Sequence, residues 1–118
     1  MSNFQKEYGE SDLLDNYLNQ AIAETLRELR EQHNLSYTEL AKKLGNIVSR
    51  QTLNNYELAK SKLRVNMFIE LAKVYNLTTK ELYEKINYRY IGKLSKYTEQ
   101  MLEQENKKRK NKNMVVKV

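Results

Sequence analysis

The chain has 118 residues, which is room for one compact domain and its appendages. It holds no Pro, no Cys and only three Gly, against an abundance of Leu, Lys, Glu, Gln and Asn. That composition excludes disulfides and thiolate metal sites, disfavours a turn-rich β fold and favours helix. No apolar run approaches membrane-spanning length, and the first twenty residues are polar and acidic, unlike a secretion signal. A soluble, cytoplasmic protein without a membrane partner is therefore expected.

The net charge of +6 is unevenly placed. Lys107, Lys108, Arg109, Lys110, Lys112 and Lys117 account for all of it, because residues 1–106 balance 15 basic against 15 acidic side chains. Residues 1–24 are acidic, with Glu7, Glu10, Asp12, Asp15 and Glu24 against Lys6. Residues 42–64 are basic, with Lys42, Lys43, Arg50, Lys60, Lys62 and Arg64 against Glu57 alone. A basic patch of this kind is the footprint of polyanion binding.

In chain order, Leu13, Leu14, Tyr17, Leu18, Ala21, Ile22, Thr25, Leu26 and Leu29 recur at i, i+3, i+4 and i+7. The spacing predicts an amphipathic helix over 12–33, with Ser11 as its N-cap. Ser36-Tyr37-Thr38-Glu39 is a capping box opening a short helix that turns Leu40, Ala41 and Leu44 inward and closes at Gly45. Ser49 caps the next helix, with Val48 packing on Leu53 as a staple. Leu53 and Tyr56 point inward there, while Arg50, Gln51, Asn54 and Asn55 share the opposite face. A fourth helix over 65–75 is expected, with Val65, Phe68, Ile69, Ala72 and either Val74 or Tyr75 as its apolar face. Thr78-Thr79-Lys80-Glu81 is a second capping box, and the helix it opens should bury Leu82, Tyr83 and Ile86. The run NYRYIGK (87–93) reads as a connector to a sixth helix over 94–106, which carries Leu94, Tyr97, Met101 and Leu102. The run KKRKNKN (107–113) is expected to be disordered, and MVVKV (114–118) carries no assignment. The resulting division is an N-terminal segment 1–11, a helical domain 12–86, a connector and C-terminal helix 87–106, and a basic tail 107–118.

The residues give little to build catalysis from. The single His33 has no Cys to activate and stands at a helix end, where an imidazole near the last carbonyls is ordinary. No glycine loop could cradle a phosphate, and no His/Cys/Asp/Glu cluster has metal-ligand spacing, so no cofactor and no metal are expected. The third helix is different. Arg can fork onto guanine O6 and N7, and Gln or Asn can match adenine N6 and N7 in the major groove. Arg50, Gln51, Asn54 and Asn55 present that chemistry from one exposed face, which holds no acid before Glu57. Flanking Lys42, Lys43, Ser49, Lys60, Lys62 and Arg64 are placed to meet phosphates.

Residues 22–86 resemble the helix-turn-helix family of the Cro and phage-repressor type, also called the xenobiotic-response-element family. The resemblance is carried by LRELREQHNLSYTELAKKLG, VSRQTLNNYE and FIELAKVYNLTTKELY. It implies an all-α, five-helix lambda-repressor-like domain whose second helix crosses the DNA backbone and whose third lies in the major groove. By position it assigns base contacts to Arg50, Gln51 and Asn55, with Asn54 beside them. It assigns a phosphate contact to Tyr37, where the family often has Gln, and a buried salt bridge to Arg30 and Glu57. The chain departs from the family in three places. Ala59 stands where Gly commonly ends the recognition helix, so that helix is expected to run longer. Leu63 is near the place of a customary Pro. Asn46-Ile47 lengthens the turn before the recognition helix, with Ile47 expected to cover the core edge.

The function expected is a sequence-specific DNA-binding regulator, a repressor that binds an inverted repeat of double-stranded DNA as a homodimer. The first half of helix 1 and the 94–106 helix either supply the dimer surface or pack on their own domain. Two alternatives use the same scaffold: an antitoxin whose 87–118 segment wraps a protein partner, or an interaction module that has lost DNA binding.

Overall fold

The structure, a computed structural model, describes residues 2–116, with side chains described for 12–110. Five α-helices follow in order: α1 (Ser2–Gln32), α2 (Tyr37–Lys43), α3 (Arg50–Glu57), α4 (Val65–Val74) and α5 (Thr79–Val116). No strand is present among the described residues. The all-α fold expected from the composition is therefore found.

The helix starts follow their sequence signals. The Ser36 hydroxyl accepts from the Glu39 N–H at 3.1 Å, and the Ser36 N–H donates back to the Glu39 carboxylate at 3.3 Å. Thr78 and Glu81 repeat the exchange at 3.1 and 2.9 Å. The Thr78 N–H, followed by its hydroxyl, holds the Glu81 carboxyl below the usual carboxylate range. Ser49 accepts the Thr52 N–H at 3.1 Å, with Val48 half-buried against the core and Leu53 buried.

The helix ends share one device. After each of α1 to α4 the chain turns left-handed, at Asn34 (φ 53°), Gly45 (φ 73°), Ala59 (φ 57°) and Asn76 (φ 56°). The N–H of each reaches back to one carbonyl of the last turn, and the next N–H reaches the carbonyl before it. At α3, Ala59 donates to Tyr56 at 3.3 Å and Lys60 to Asn55 at 2.9 Å. This is the Schellman motif, which satisfies carbonyls that the helix leaves without donors. The extension expected at Ala59 does not occur. The helix stops at Glu57 and Ala59 takes the left-handed cap despite its Cβ.

The core collects Leu26 and Leu29 of α1, Leu40 and Leu44 of α2, and Leu53 and Tyr56 of α3. Met67, Leu71 and Tyr75 of α4 and Leu82 and Ile86 of α5 complete it. Two expected core positions lie outside it: Val65 is 77% exposed and Tyr83 is 59% exposed. Ile69, also expected inside, is exposed as well. In α4 the polar residues Asn66, Glu70 and Lys73 recur at i, i+4 and i+7 and mark the outer face, with Ile69 beside it. Met67, Leu71 and Ala72 lie opposite and are buried.

The largest departures are at the two termini. Helix α1 begins at Ser2, so Ser11 lies inside it and not at its start. Helix α5 runs unbroken from Thr79 to Val116, so the connector 87–93, the separate helix 94–106 and most of the tail are one helix. Without Pro, and with only Gly92 to weaken it, the segment simply propagates. Packing against α1 holds it. Arg89 is ion-paired to Glu24 at 3.6 Å and also to Glu28, Lys93 bonds Glu24 at 3.0 Å, and the Tyr17 and Tyr97 rings meet edge-on at 6.0 Å. As residue numbers fall along α1 they rise along α5, so the two helices are antiparallel. They form an arm that extends the molecule to 70 Å by 32 Å by 22 Å.

Candidate nucleic-acid interface

The reading face is built on α3, and α3 is fixed from behind. Glu57 at its end is buried, and Arg30 of α1 holds that carboxylate through Nε, at 2.9 Å to Oε2 and 3.1 Å to Oε1. The same guanidinium donates through Nη1 to the Leu35 carbonyl at 2.9 Å, and lies over the Tyr37 ring at 4.2 Å. Arg27 donates to the Glu57 carbonyl oxygen at 2.9 Å. Hydrogen bonding to Glu57 pushes the Arg30 pKa up, so the cation is locked. Helices α1, α2 and α3 are thereby tied at one carboxylate.

Tyr37, expected at a phosphate, donates its hydroxyl proton to Glu57 Oε1 at 3.1 Å. Its burial raises the phenol pKa. To donate to a phosphate instead, the hydroxyl would have to turn away from Glu57.

On the outer face, Arg50 and Gln51 are exposed at the start of α3, and Asn54 and Asn55 are half-buried one turn on. Gln51 donates from Nε2 to Asn55 Oδ1 at 3.1 Å. Arg50, Gln51 and Asn54 line an open notch of about 360 Å³ with Ser36, Tyr37 and Thr38 of α2. So all four residues singled out for base contact share one face, and three of them meet the α2 start. Lys42 and Lys43 are exposed at the end of α2, and Lys60, Lys62 and Arg64 are exposed in the segment after α3. Exposed cations thus lie in sequence on both sides of the reading helix.

The lengthened turn is accommodated by two left-handed residues in succession, Gly45 and Asn46, the latter at φ 58°. The Asn46 N–H donates to the Ala41 carbonyl at 2.9 Å, completing the cap of α2. Val48 then takes the place against the core, and Ile47 does not cover the core edge as expected: it is 58% exposed. Sequence reasoning missed where this side chain goes. The only available signal was that Ile47 and Val48 adjoin, and one staple position cannot hold both.

His33 is accounted for structurally: its Nδ1 donates to the Leu29 carbonyl at 2.8 Å and its ring packs on Tyr75 at 5.0 Å. Among the described residues no group of His, Cys, Asp or Glu could hold a metal, and no helix is long and apolar enough to cross a membrane.

A short helix tied to a buried arginine–carboxylate pair, with Arg, Gln and Asn on its outer face and a capped helix crossing before it, defines a helix-turn-helix DNA-binding domain. Residues 26–82, just under half of the chain, match the family model described as helix-turn-helix, of the Cro and phage-repressor type. The chain is also similar to a candidate HTH-type transcriptional regulatory protein of Thermococcus kodakarensis, with 43% identity over 53 residues. That match covers 45% of this chain and 16% of the archaeal protein, so the chain spans about one sixth of its relative's length. No solved structure matches the chain.

Proposed function

We propose that the protein is a sequence-specific transcription regulator, a repressor that binds an inverted repeat as a homodimer. The observation that carries this reading is the single face holding Arg50, Gln51, Asn54 and Asn55, fixed from behind by Arg30 and Glu57. Arg50 reads guanine, and the Gln51–Asn55 pair and Asn54 meet neighbouring base edges. Lys42, Lys43, Ser49, Lys60, Lys62 and Arg64 hold the flanking phosphates, with Tyr37 beside them. The similarity to a regulatory protein supports the same direction.

A recognition helix of eight residues reads too few bases to discriminate alone, which favours two copies on half-sites about one helical turn apart. The arm supplies the dimer surface. Ile22 of α1 and Tyr90 of α5 pack on the core, and the same helix faces continue outward through Leu18, Leu94 and Met101. Leu18 and Met101 are exposed there, at 37% and 48%. An apolar stripe that outruns its own core suits a second copy of the chain.

The test is selection of bound duplexes from a random pool at fixed salt, with wild type and Arg50→Ala side by side. An enriched inverted repeat whose guanine preference disappears in the variant is the expected result. If neither protein enriches a sequence and both bind in a purely salt-dependent way, the regulator reading falls.

A further inference from the structure

The two residues that lengthen the turn before α3 leave an apolar side chain on the reading face, and the structure gives it a setting. Gly45 and Asn46 both turn left-handed, which ends α2 and sends the chain outward at Ile47 before Val48 returns to the core. Ile47 walls an open notch of about 400 Å³ together with Thr38, Ala41, Asn46, Val48, Ser49 and the cations Lys42 and Arg50. The notch therefore has methyl-bearing walls and a cationic rim, and it adjoins the first residue of the recognition helix.

Major-groove chemistry offers one small apolar feature that such a notch can take, the C5-methyl group of a pyrimidine. A phosphate would be served by Lys42 and Arg50 alone and would gain nothing from Ile47. A polar base edge could bond Thr38, Asn46 or Ser49, but it would leave the exposed Ile47 side chain uncovered, which only an apolar group buries. We infer that the Ile47 notch is a subsite for a pyrimidine C5-methyl group, placed beside the base that Arg50 reads. The inference rests on the DNA-reading assignment above and adds to it a contact made by the inserted turn itself. In this setting the longer turn adds specificity at one base pair. Ile47 is the specificity-determining side chain, and Gly45 and Asn46 are the positioning residues that turn it outward.

The experiment uses the full chain and the duplex obtained from the selection. Each thymine of a half-site is replaced in turn by deoxyuridine, which removes the methyl group and changes no hydrogen bond, and affinity is measured for wild type and Ile47→Ala. One thymine per half-site is expected to matter, its demethylation weakening wild-type binding about fivefold, the worth of one buried methyl group. Ile47→Ala should bind the thymine duplex about fivefold more weakly and be indifferent to that demethylation. A 5-methylcytosine at the same position should bind wild type more tightly than cytosine does, and the variant should not distinguish the two. Ile47 is largely exposed, so the variant folds, and an unchanged melting temperature establishes this.

Three results overturn the inference. If demethylation of every thymine leaves wild-type affinity unchanged while the sequence preference persists, the notch fails and the DNA-reading assignment stands. If demethylation costs wild type and Ile47→Ala equally, the methyl group belongs to another residue. A pool that yields no preferred duplex removes both assignments together.

Discussion

Arg30 of α1 and Glu57 of α3 stand 27 residues apart in the chain and meet at 2.9 Å, with their side chains 15% and 3% exposed. Removing either partner strands the other charge where water cannot reach it, a loss of about 3–5 kcal/mol. Glu57→Gln and Arg30→Ala should each lower the urea midpoint accordingly. Arg30→Lys should recover only part, because an ammonium cannot serve Glu57, Leu35 and the Tyr37 ring at once.

The cap at the end of α3 gives a second expectation. A residue with a Cβ in the left-handed region carries about 1–2 kcal/mol of strain, and Ala59 sits at φ 57°. Glycine removes that strain and gives back part of the gain as chain entropy in the unfolded state. Ala59→Gly should therefore raise stability by about 0.5–1 kcal/mol. Gly45→Ala, at φ 73°, should lower it by about 1 kcal/mol. Thermal unfolding of both variants reads the opposite signs directly.

Tyr75 is 3% exposed, and its hydroxyl has no hydrogen-bond partner among the described residues. Burial, with the nearby Glu57 charge, raises its pKa well above the ordinary tyrosine value. The unfolded phenol ionises near pH 10 while the folded one stays neutral. Stability is thus full below pH 10 and falls as pH rises beyond it. Tyr75→Phe should leave neutral-pH stability unchanged or raise it by up to about 1 kcal/mol, and should flatten the alkaline fall. Denaturant titrations at pH 7 and above pH 10 test both parts.

Dimerisation through the arm predicts that wild type sediments at twice the chain mass of 14.1 kDa. Leu18→Asp with Met101→Asp should reduce it to one chain without loss of helical signal. Both residues are already solvent-facing in the single chain, so only the intermolecular surface is spoiled.

Phosphate contacts separate from base contacts by their salt dependence. Lys60→Ala should weaken binding to all duplexes alike and reduce the slope of log affinity against log salt by about one unit. Arg50→Ala should instead cost about 1–3 kcal/mol on the preferred sequence alone. Titrations on a preferred and a scrambled duplex at several salt concentrations distinguish the two patterns.

What the sequence by itself determined was local. Ser36, Ser49 and Thr78 start helices because a hydroxyl three residues before an amide can satisfy it, which needs no tertiary partner. The face holding Arg50, Gln51, Asn54 and Asn55 follows from helical spacing alone. The Arg30–Glu57 pair was legible through the family resemblance, since nothing in the spacing of two charges 27 residues apart announces a contact. What only the tertiary structure decided were choices that local chemistry leaves open. Asn66, Glu70 and Lys73 mark the outer face of α4, and packing decided that Val65 and Ile69 at its border stay exposed. Helix propensity permitted α5 either to break near Gly92 or to continue, and ion pairs from Arg89 and Lys93 to α1 favour continuation. Ala59 takes a strained cap because the α3 carbonyls gain two donors there. Ile47 faces solvent because Val48 fills the one site on the core. Each of these depends on a partner far along the chain or on competition for a single place, and such energies exist only once the helices have packed.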